Sequence, residues 1–127
     1  MTNVLGISGV FLFANDPRSL QQWYRDRLDL DLACWGEDSC YGIDLPHTLP
    51  DGQESHTVFS IQKAKEPLSG PRREAMVNWR VADLEALLAD LAAAGIPVEK
   101  REDSEYGRFA WIRDPEGNRL ELYQKPA

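Results

Sequence analysis

Apolar residues along this chain recur at two spacings, every second residue and every third or fourth, which are the repeats of a strand and of a helix. Residues 7–14 are apolar on both alternating faces, and this predicts a strand covered on both sides of its sheet. Asp16 and Pro17 then provide a cap and a first helical residue, and residues 20–28 carry one apolar stripe. The pattern predicts a strand followed at once by a helix, which ends at Asp29 where a left-handed glycine is usual.

The rest of the first half predicts three more strands. They cover residues 30–35, 41–45 and 56–62. Between the last two strands, residues 46–55 contain two prolines and a glycine, which is typical of a loop. Residues 63–74 again contain two prolines and a glycine, among mixed charges, and we interpret them as a linker.

The second half repeats this order of elements. Residues 76–81 predict a strand, Asp83 caps a helix, and residues 84–91 carry its apolar stripe. Gly95 is the predicted C-cap of that helix, and a proline follows that prevents its continuation. The last three predicted strands cover residues 98–101, 109–112 and 120–124.

The two halves align at one constant offset, which pairs Val10 with Val77 and Asp16 with Asp83. Each half therefore predicts the order β-α-β-β-β, and such a repeat bears on the fold more than any local propensity does. One half alone would leave a sheet face uncovered, whereas two paired halves enclose a cavity and pack a helix on each outer face. The predicted single domain, residues 1–127, divides into module one at about 4–64, a linker at 65–74 and module two at about 75–125.

Composition narrows the classes of function. The 127 residues include 14 Lys and Arg against 21 Asp and Glu, a net charge of −7, and 43% are hydrophobic, as in a folded domain. This balance argues against nucleic acid and anionic membranes as partners, and it favours a cationic small molecule. No apolar run is long enough to span a membrane, and the first residues show no signal-peptide pattern, so we expect a cytoplasmic protein.

Four segments of the sequence resemble the vicinal oxygen chelate superfamily, which groups glyoxalases, bleomycin resistance proteins and extradiol dioxygenases. The segments are VFLFAND at 10–16, WYRDRL at 23–28, NWRVADLEAL at 78–87 and YGRFAWIRDPEGNRLEL at 106–122. The resemblance implies an α+β fold in which two βαβββ modules form a curved mixed sheet around a cavity. It does not fix the function, because the superfamily contains lyases, isomerases, dioxygenases and drug-binding proteins.

Members of the superfamily that use a metal place one ligand on each of four strands, commonly His, Glu, His and Glu. Transferred to this sequence, these positions fall on Gly9, Met76, Glu121 and either Phe59 or Ser60. Glu121 alone is a competent ligand for a hard metal. We therefore expect the usual metal site to be lost and no cofactor to be bound, with a divalent metal at a relocated site as the alternative.

The predicted inner face of the strands combines aromatic and polar side chains. Asn78 and Arg80 would be costly in a dry core, so a pocket is favoured over simple core filling. Glu121 is the catalytic candidate, either as a cavity carboxylate with a raised pKa or as a remnant of the metal site that is hydrogen bonded to a neighbour. The predicted ligand-binding residues are Phe11, Phe13, Asn78, Arg80, Trp35, Trp111 and Tyr123.

Other conspicuous residues are assigned structural roles. Trp23 and Trp79 follow the pattern of residues that pack between helix and sheet. Cys34 carries no nucleophile motif and is predicted to be a small buried hydrophobe in a strand. His56 opens a predicted strand without an Asp, Ser or Cys partner at a diagnostic spacing, so it is predicted to be a strand-end residue.

Three functions stay open at this point, and the sequence does not decide whether the chain is an enzyme. The first is a metal-free small-molecule-binding protein of the bleomycin-resistance type, for which the resemblance implies a homodimer. The second is a glyoxalase-like lyase or isomerase with a divergent metal site or with Glu121 as its acid or base. The third is an interaction module with a vestigial cavity.

Overall fold

The structure is a computed structural model that describes residues 3–127, so Met1 and Thr2 of the predicted domain lie outside the described residues. Eight strands and two helices follow one another in the repeated order expected from the sequence. They are β1 (Val4–Ala14), α1 (Pro17–Leu28), β2 (Ala33–Cys34), β3 (Cys40–Thr48), β4 (Glu54–Lys63), β5 (Glu74–Val81), α2 (Leu84–Ala93), β6 (Lys100–Ser104), β7 (Gly107–Arg113) and β8 (Arg119–Gln124). Neither helix is both long and apolar enough to cross a membrane.

All eight strands form one mixed sheet in the order β2-β3-β4-β1-β5-β8-β7-β6. Within the first half β1 pairs in parallel with β4, and within the second half β5 pairs in parallel with β8. The two halves meet where β1 and β5 run antiparallel, from the Val4–Val81 pair to the Phe13–Glu74 pair. The predicted α+β fold is thus confirmed, and the two halves join within one chain.

Each helix covers one half of the same sheet face. Behind the second half, Leu84 of α2 packs with Val81, Ala110 and Leu122, and all four are buried. Behind the first half, Ile61 and Tyr41 form the buried core under α1. Because successive side chains of a strand point to opposite faces, the neighbouring residues on these strands point to the helix-free face.

The helix boundaries agree with the sequence prediction at both N-termini. The carboxylate of Asp16 accepts a hydrogen bond from the Ser19 amide, and the carboxylate of Asp83 accepts one from the Ala86 amide, at 3.1 Å in both cases. Asp29 ends α1 in the left-handed region, with φ 56° and ψ 35°. The C-cap of α2 is Ala94 and not the predicted Gly95, which follows with a positive φ of 78°.

Several strand boundaries differ from the prediction. The strand predicted at residues 30–35 shrinks to the two residues of β2, an edge strand. The predicted loop at residues 46–55 is mostly strand, because β3 continues through Pro46 to Thr48 and pairs there with β4. A proline is tolerated at this point because β2 does not extend alongside it, so β3 is an edge strand there. The strand predicted at 98–101 lies at Lys100–Ser104.

Two predicted core residues are exposed. Trp23 is 52% exposed because Leu20 and Tyr24 fill the space under α1, and its ring packs edge-on against Tyr24 at 5.1 Å between centroids. Cys34 lies on the short edge strand β2 and is also exposed. The prediction for Trp79 was correct, because it packs against the core under α2.

Candidate functional site

A cavity of about 460 Å³ opens on the helix-free face of the sheet, where β1 and β5 join the two halves. Its volume lies in the range of small-molecule sites. Strands from both halves contribute side chains, so neither half forms the cavity alone. The lining residues are Ser8, Phe11, Asp44, Ser55, His56, Val58, Asn78, Arg80, Tyr106, Phe109, Glu121 and Tyr123.

The centre of the cavity holds a buried carboxylate–amide pair. Asn78 on β5 stands beside Glu121 on β8, and its Nδ2 donates a hydrogen bond of 2.6 Å to Glu121 Oε2. Asn78 is 5% exposed, and its carbonyl oxygen Oδ1 has no hydrogen-bond donor among the described residues. A buried acceptor without a donor is costly and rare in a folded protein. The pair therefore leaves one acceptor unsatisfied at the cavity.

Burial raises the pKa of Glu121 above its ordinary value of 4.5. The loss of hydration is the main cause, since it penalises the charged form. The Asn78 amide, the Trp111 indole and the Arg119 guanidinium lower the pKa, and they offset only part of the shift. The carboxyl group of Glu121 is thus a stronger base, once ionised, than an exposed glutamate.

Arg80 lies two residues after Asn78 on the same face of β5 and is 6% exposed. One terminal nitrogen donates to Ser55 Oγ at 2.8 Å and to the Glu54 carbonyl at 3.3 Å, and the other donates to Gln53 Oε1 at 3.2 Å. All three acceptors are neutral oxygens. Among the described residues, no carboxylate forms an ion pair with this guanidinium.

Tyr123 stands beside Arg80 in the parallel pairing of β5 with β8. Burial raises the pKa of its phenol, and the nearby Arg80 guanidinium lowers it in part. Its ring packs against Phe109, with 5.1 Å between centroids. This end of the cavity therefore combines one buried cation with an aromatic wall.

Several lining residues of the cavity were not predicted from the sequence to be site residues. Ser8 enters the lining where the register of β1 against β5 shifts between Ile7 and Gly9, a bulge that breaks the two-residue alternation. Ile7, which strict alternation would place on one face with Gly9 and Phe11, is 42% exposed. His56 and Val58 of β4 do reach the cavity, and their alternation could have indicated it, but His56 was interpreted as a strand end.

Three of the predicted ligand-binding residues do not line this cavity. Phe13 lies further along β1 and lines a neighbouring groove with Met76. Trp35 packs its ring on Gly42 near the outer edge of the sheet. Trp111 is buried beside Glu121, and Lys100 lies 5.2 Å from the centroid of its ring. The other four, Phe11, Asn78, Arg80 and Tyr123, line the cavity together with Glu121.

The residues at the superfamily's metal-ligand positions do not fit a metal. At Gly9 an added Cβ would lie 2.8 Å from the Phe11 ring, so this ring occupies the space that a ligand side chain needs. On the fourth strand Phe59 packs in the core under α1, which assigns the position to Ser60, whose Oγ accepts from Gln62. Within residues 3–127, no three His, Cys, Asp or Glu side chains are grouped so that they could hold a metal ion.

A mixed sheet of two β-α-β-β-β halves, with a helix behind each half and a cavity on the opposite face, defines the vicinal oxygen chelate class of proteins. The sequence model of the glyoxalase-like domain matches residues 9–123, and the chain therefore belongs to this family. The resemblance noted in the sequence is confirmed by this match. A comparison with curated protein sequences gives no significant match.

Solved structures share the fold at low sequence identity. Catechol 2,3-dioxygenase is 20% identical with a TM-score of 0.70, and the match covers 99% of this chain and 41% of that one. Methylmalonyl-CoA epimerase from Mycobacterium tuberculosis is 18% identical with a TM-score of 0.62, covering 100% and 92% of the two chains. A glyoxalase/bleomycin resistance protein/dioxygenase superfamily member from Vibrio splendidus 12B01 is 18% identical with a TM-score of 0.61, covering 92% and 96%.

Proposed function

We propose that this chain is a small-molecule-binding protein of the glyoxalase-like family, with its ligand in the cavity that Asn78 and Glu121 line. The observation that carries the proposal is the side chain of Asn78, which belongs to the cavity lining and whose buried carbonyl oxygen has no donor among the described residues. A protein interior satisfies such acceptors. A ligand with a hydrogen-bond donor would satisfy this one.

We propose further that binding does not depend on the superfamily's four-strand metal site. Gly9, Met76 and Ser60 stand at three of its four positions, and none is a competent ligand for a hard metal ion. Glu121 already accepts a hydrogen bond from Asn78. In an interaction module with a vestigial cavity, side chains such as Phe11 and Met76 would fill this space. The open volume of the cavity therefore favours a binding site.

A second candidate is a metal-independent isomerase or lyase in which Glu121 moves a proton. Its support is the raised pKa of this carboxyl group inside a cavity, which makes the carboxylate, once ionised, a stronger base than an exposed glutamate. In this reading Glu121 is the catalytic residue and Asn78 holds its carboxylate in place.

The experiment is a screen of thermal unfolding with acidic, basic and neutral small molecules, on protein purified without chelators and analysed for metals. A ligand at 100 times its Kd stabilises the folded state by about 2.7 kcal/mol, which raises Tm by several degrees. Val58→Phe, which fills the cavity, should abolish the rise in Tm. Val98→Phe makes the same change at an exposed site outside the cavity and should leave the rise unchanged.

Three results would contradict parts of this proposal. If no compound raises Tm in the well-folded protein, the binding function is wrong. Stoichiometric metal in the purified protein, with a loss of stability on chelation, would overturn the metal-independent site. If the protein converts a bound compound and Glu121→Gln abolishes this turnover, the result would favour the metal-independent isomerase or lyase.

A further inference from the structure

We propose that the ligand is a small aromatic acid, held by its carboxylate on Arg80 and by a hydroxyl or amino donor on Asn78. The inference rests on the proposed function and adds the chemical class of the ligand. Four features of the cavity carry it, and they are the buried cation, the unpaired acceptor, the spacing between them and the aromatic walls.

The buried cation specifies the anionic end. A guanidinium has five N–H donors, and the three hydrogen bonds of Arg80 leave two of them without a partner among the described residues. All its partners are neutral, and a buried charge is stable only when an opposite charge or strong hydrogen bonds compensate it. A carboxylate matches the planar fork of an arginine with two parallel hydrogen bonds.

The Asn78 carbonyl specifies the other end. Its amide nitrogen is already committed to Glu121, so the side chain offers the ligand only the acceptor Oδ1. Such an acceptor binds an O–H or N–H group of the ligand. A second carboxylate would be repelled here, since Glu121 lies next to the acceptor.

The distance between Asn78 and Arg80 and the aromatic lining of the cavity indicate the shape of the ligand between its two polar ends. Asn78 and Arg80 are two residues apart on one strand face, about 6.6 Å along the strand. The rings of Phe11, Phe109 and Tyr123 line the same cavity, and Tyr123 stands beside Arg80. Aromatic walls pack best against a flat apolar body. One aromatic ring with its two polar groups at opposite ends fits this arrangement.

The net charge of −7 favours a cationic ligand, whereas the Arg80 end of the cavity favours an anion. Arg80 is buried at the cavity wall, whereas Asp44, the acidic lining residue besides Glu121, is exposed. Short-range hydrogen bonds at a buried site outweigh the screened field of distant surface charges. A cationic ligand is the opposing outcome of the experiment below.

The experiment is isothermal titration of the full chain with four compounds built on one ring. They are 4-hydroxybenzoate, its neutral amide 4-hydroxybenzamide, benzoate without the donor, and the cation 4-(aminomethyl)phenol. We expect 4-hydroxybenzoate to bind most tightly. The amide should lose about 10-fold or more because it gives up the charged hydrogen bonds to Arg80, and benzoate should lose about 5- to 10-fold.

Variants separate the role of Arg80 in binding from its role in holding the β3–β4 connection. Arg80→Gln should remove the preference for 4-hydroxybenzoate over the amide, and Arg80→Lys should retain only part of it. Arg108→Gln changes an exposed arginine of β7 and should leave both affinities unchanged. If Arg80→Gln fails to fold, the four titrations of the unchanged chain still decide the inference.

Equal binding of acid and amide would overturn the carboxylate site while leaving the binding function intact. Tightest binding by the amine would replace it with a cationic ligand. Binding of none of the four compounds, when another compound from the thermal screen binds, would overturn the aromatic-acid class. If the screen also finds no ligand, the proposed function itself fails.

Discussion

Gly9 and Phe11 show how two residues shape one wall of the cavity. The Phe11 ring lies where a side chain at position 9 would begin, so glycine is the residue that leaves room for it. The aromatic wall at Phe11 and the absence of a side chain at position 9 are thus one structural feature. The cavity beside them is lined by aromatic rings, the Asn78 amide, the Arg80 guanidinium and the carboxyl groups of Asp44 and Glu121.

The carboxyl group of Glu121 gives a prediction on pH dependence. Because burial raises its pKa in the folded state, the folded chain holds a proton that the unfolded chain has already released above pH 4.5. The contribution of this carboxyl group to the free energy of unfolding is complete below pH 4.5. It is lost as the pH rises through the pKa of the group in the folded state. Glu121→Gln cannot ionise, so it should be more stable than the unchanged chain at pH 8 but not at pH 4.

Urea unfolding at a series of pH values measures this difference. Glutamine keeps an oxygen that can accept from Asn78 Nδ2, so the comparison changes the charge and retains the hydrogen bond. Glu116→Gln, an exposed carboxyl in the turn before β8, is the matched control and should give no such trend. A difference between Glu121→Gln and the unchanged chain that does not vary with pH would contradict the buried titration.

The central site residues were predictable because they obey strand alternation. Asn78, Arg80, Glu121 and Tyr123 occupy every second position on two paired strands, so a pattern of period two identifies them. Ser8 was not predicted, because a bulge moves it to the cavity and breaks the two-residue alternation. Glycines at positions 6 and 9 are the weak signal that the sequence offered.

At the scale of the elements, Asp29 gives a second prediction. It ends α1 with φ 56°, a conformation in which a residue with a Cβ is strained by about 1 kcal/mol or more. Asp29→Gly should raise the free energy of unfolding by about 0.5–1 kcal/mol, since glycine's larger unfolded-state entropy cancels part of the relief. Urea unfolding measures the change.

Gly95 after α2 is the reciprocal control, with φ 78° and open space where its Cβ would be. Gly95→Ala should therefore destabilise the chain by about 1 kcal/mol through the backbone alone. If Asp29→Gly also destabilises the chain, a side-chain contact of Asp29 outweighs the strain.

The elements also show what sequence patterns miss. Both N-caps and the end of α1 follow from residues that act locally, and these boundaries were predicted correctly. β3 continues through Pro46 because β4 pairs with it there, and the segment itself carries no strand pattern. β6 at Lys100–Ser104 is exposed and polar, so its residues show no apolar alternation. The ends of such strands depend on pairing with neighbouring strands, and the sequence of the strand alone does not determine them.

At the scale of the whole molecule, the two halves depend on each other. β1 has β4 on one side and β5 on the other, so removing the second half would expose a long, largely apolar strand edge. The Asn3 side chain accepts from the amides of Ala82 and Asp83 and donates to the Asp83 carbonyl, which ties the start of β1 to the start of α2. Each half has about 60 residues, a size at which a single core is marginal.

This dependence predicts the behaviour of the separated halves, cut between Ser69 and Gly70 in the connection that precedes β5. Fragment 1–69 alone should unfold or self-associate through its open β1 edge, and fragment 70–127 alone should lack a cooperative transition. Mixing the two should restore a cooperatively unfolding 1:1 complex, because the antiparallel β1–β5 pairing and the Asn3 contacts need no peptide link between the halves. Circular dichroism and analytical ultracentrifugation measure both. A monomeric fragment 1–69 with a sharp unfolding transition would mean that one half folds without its partner, and the cavity would then be the product of docking two stable units.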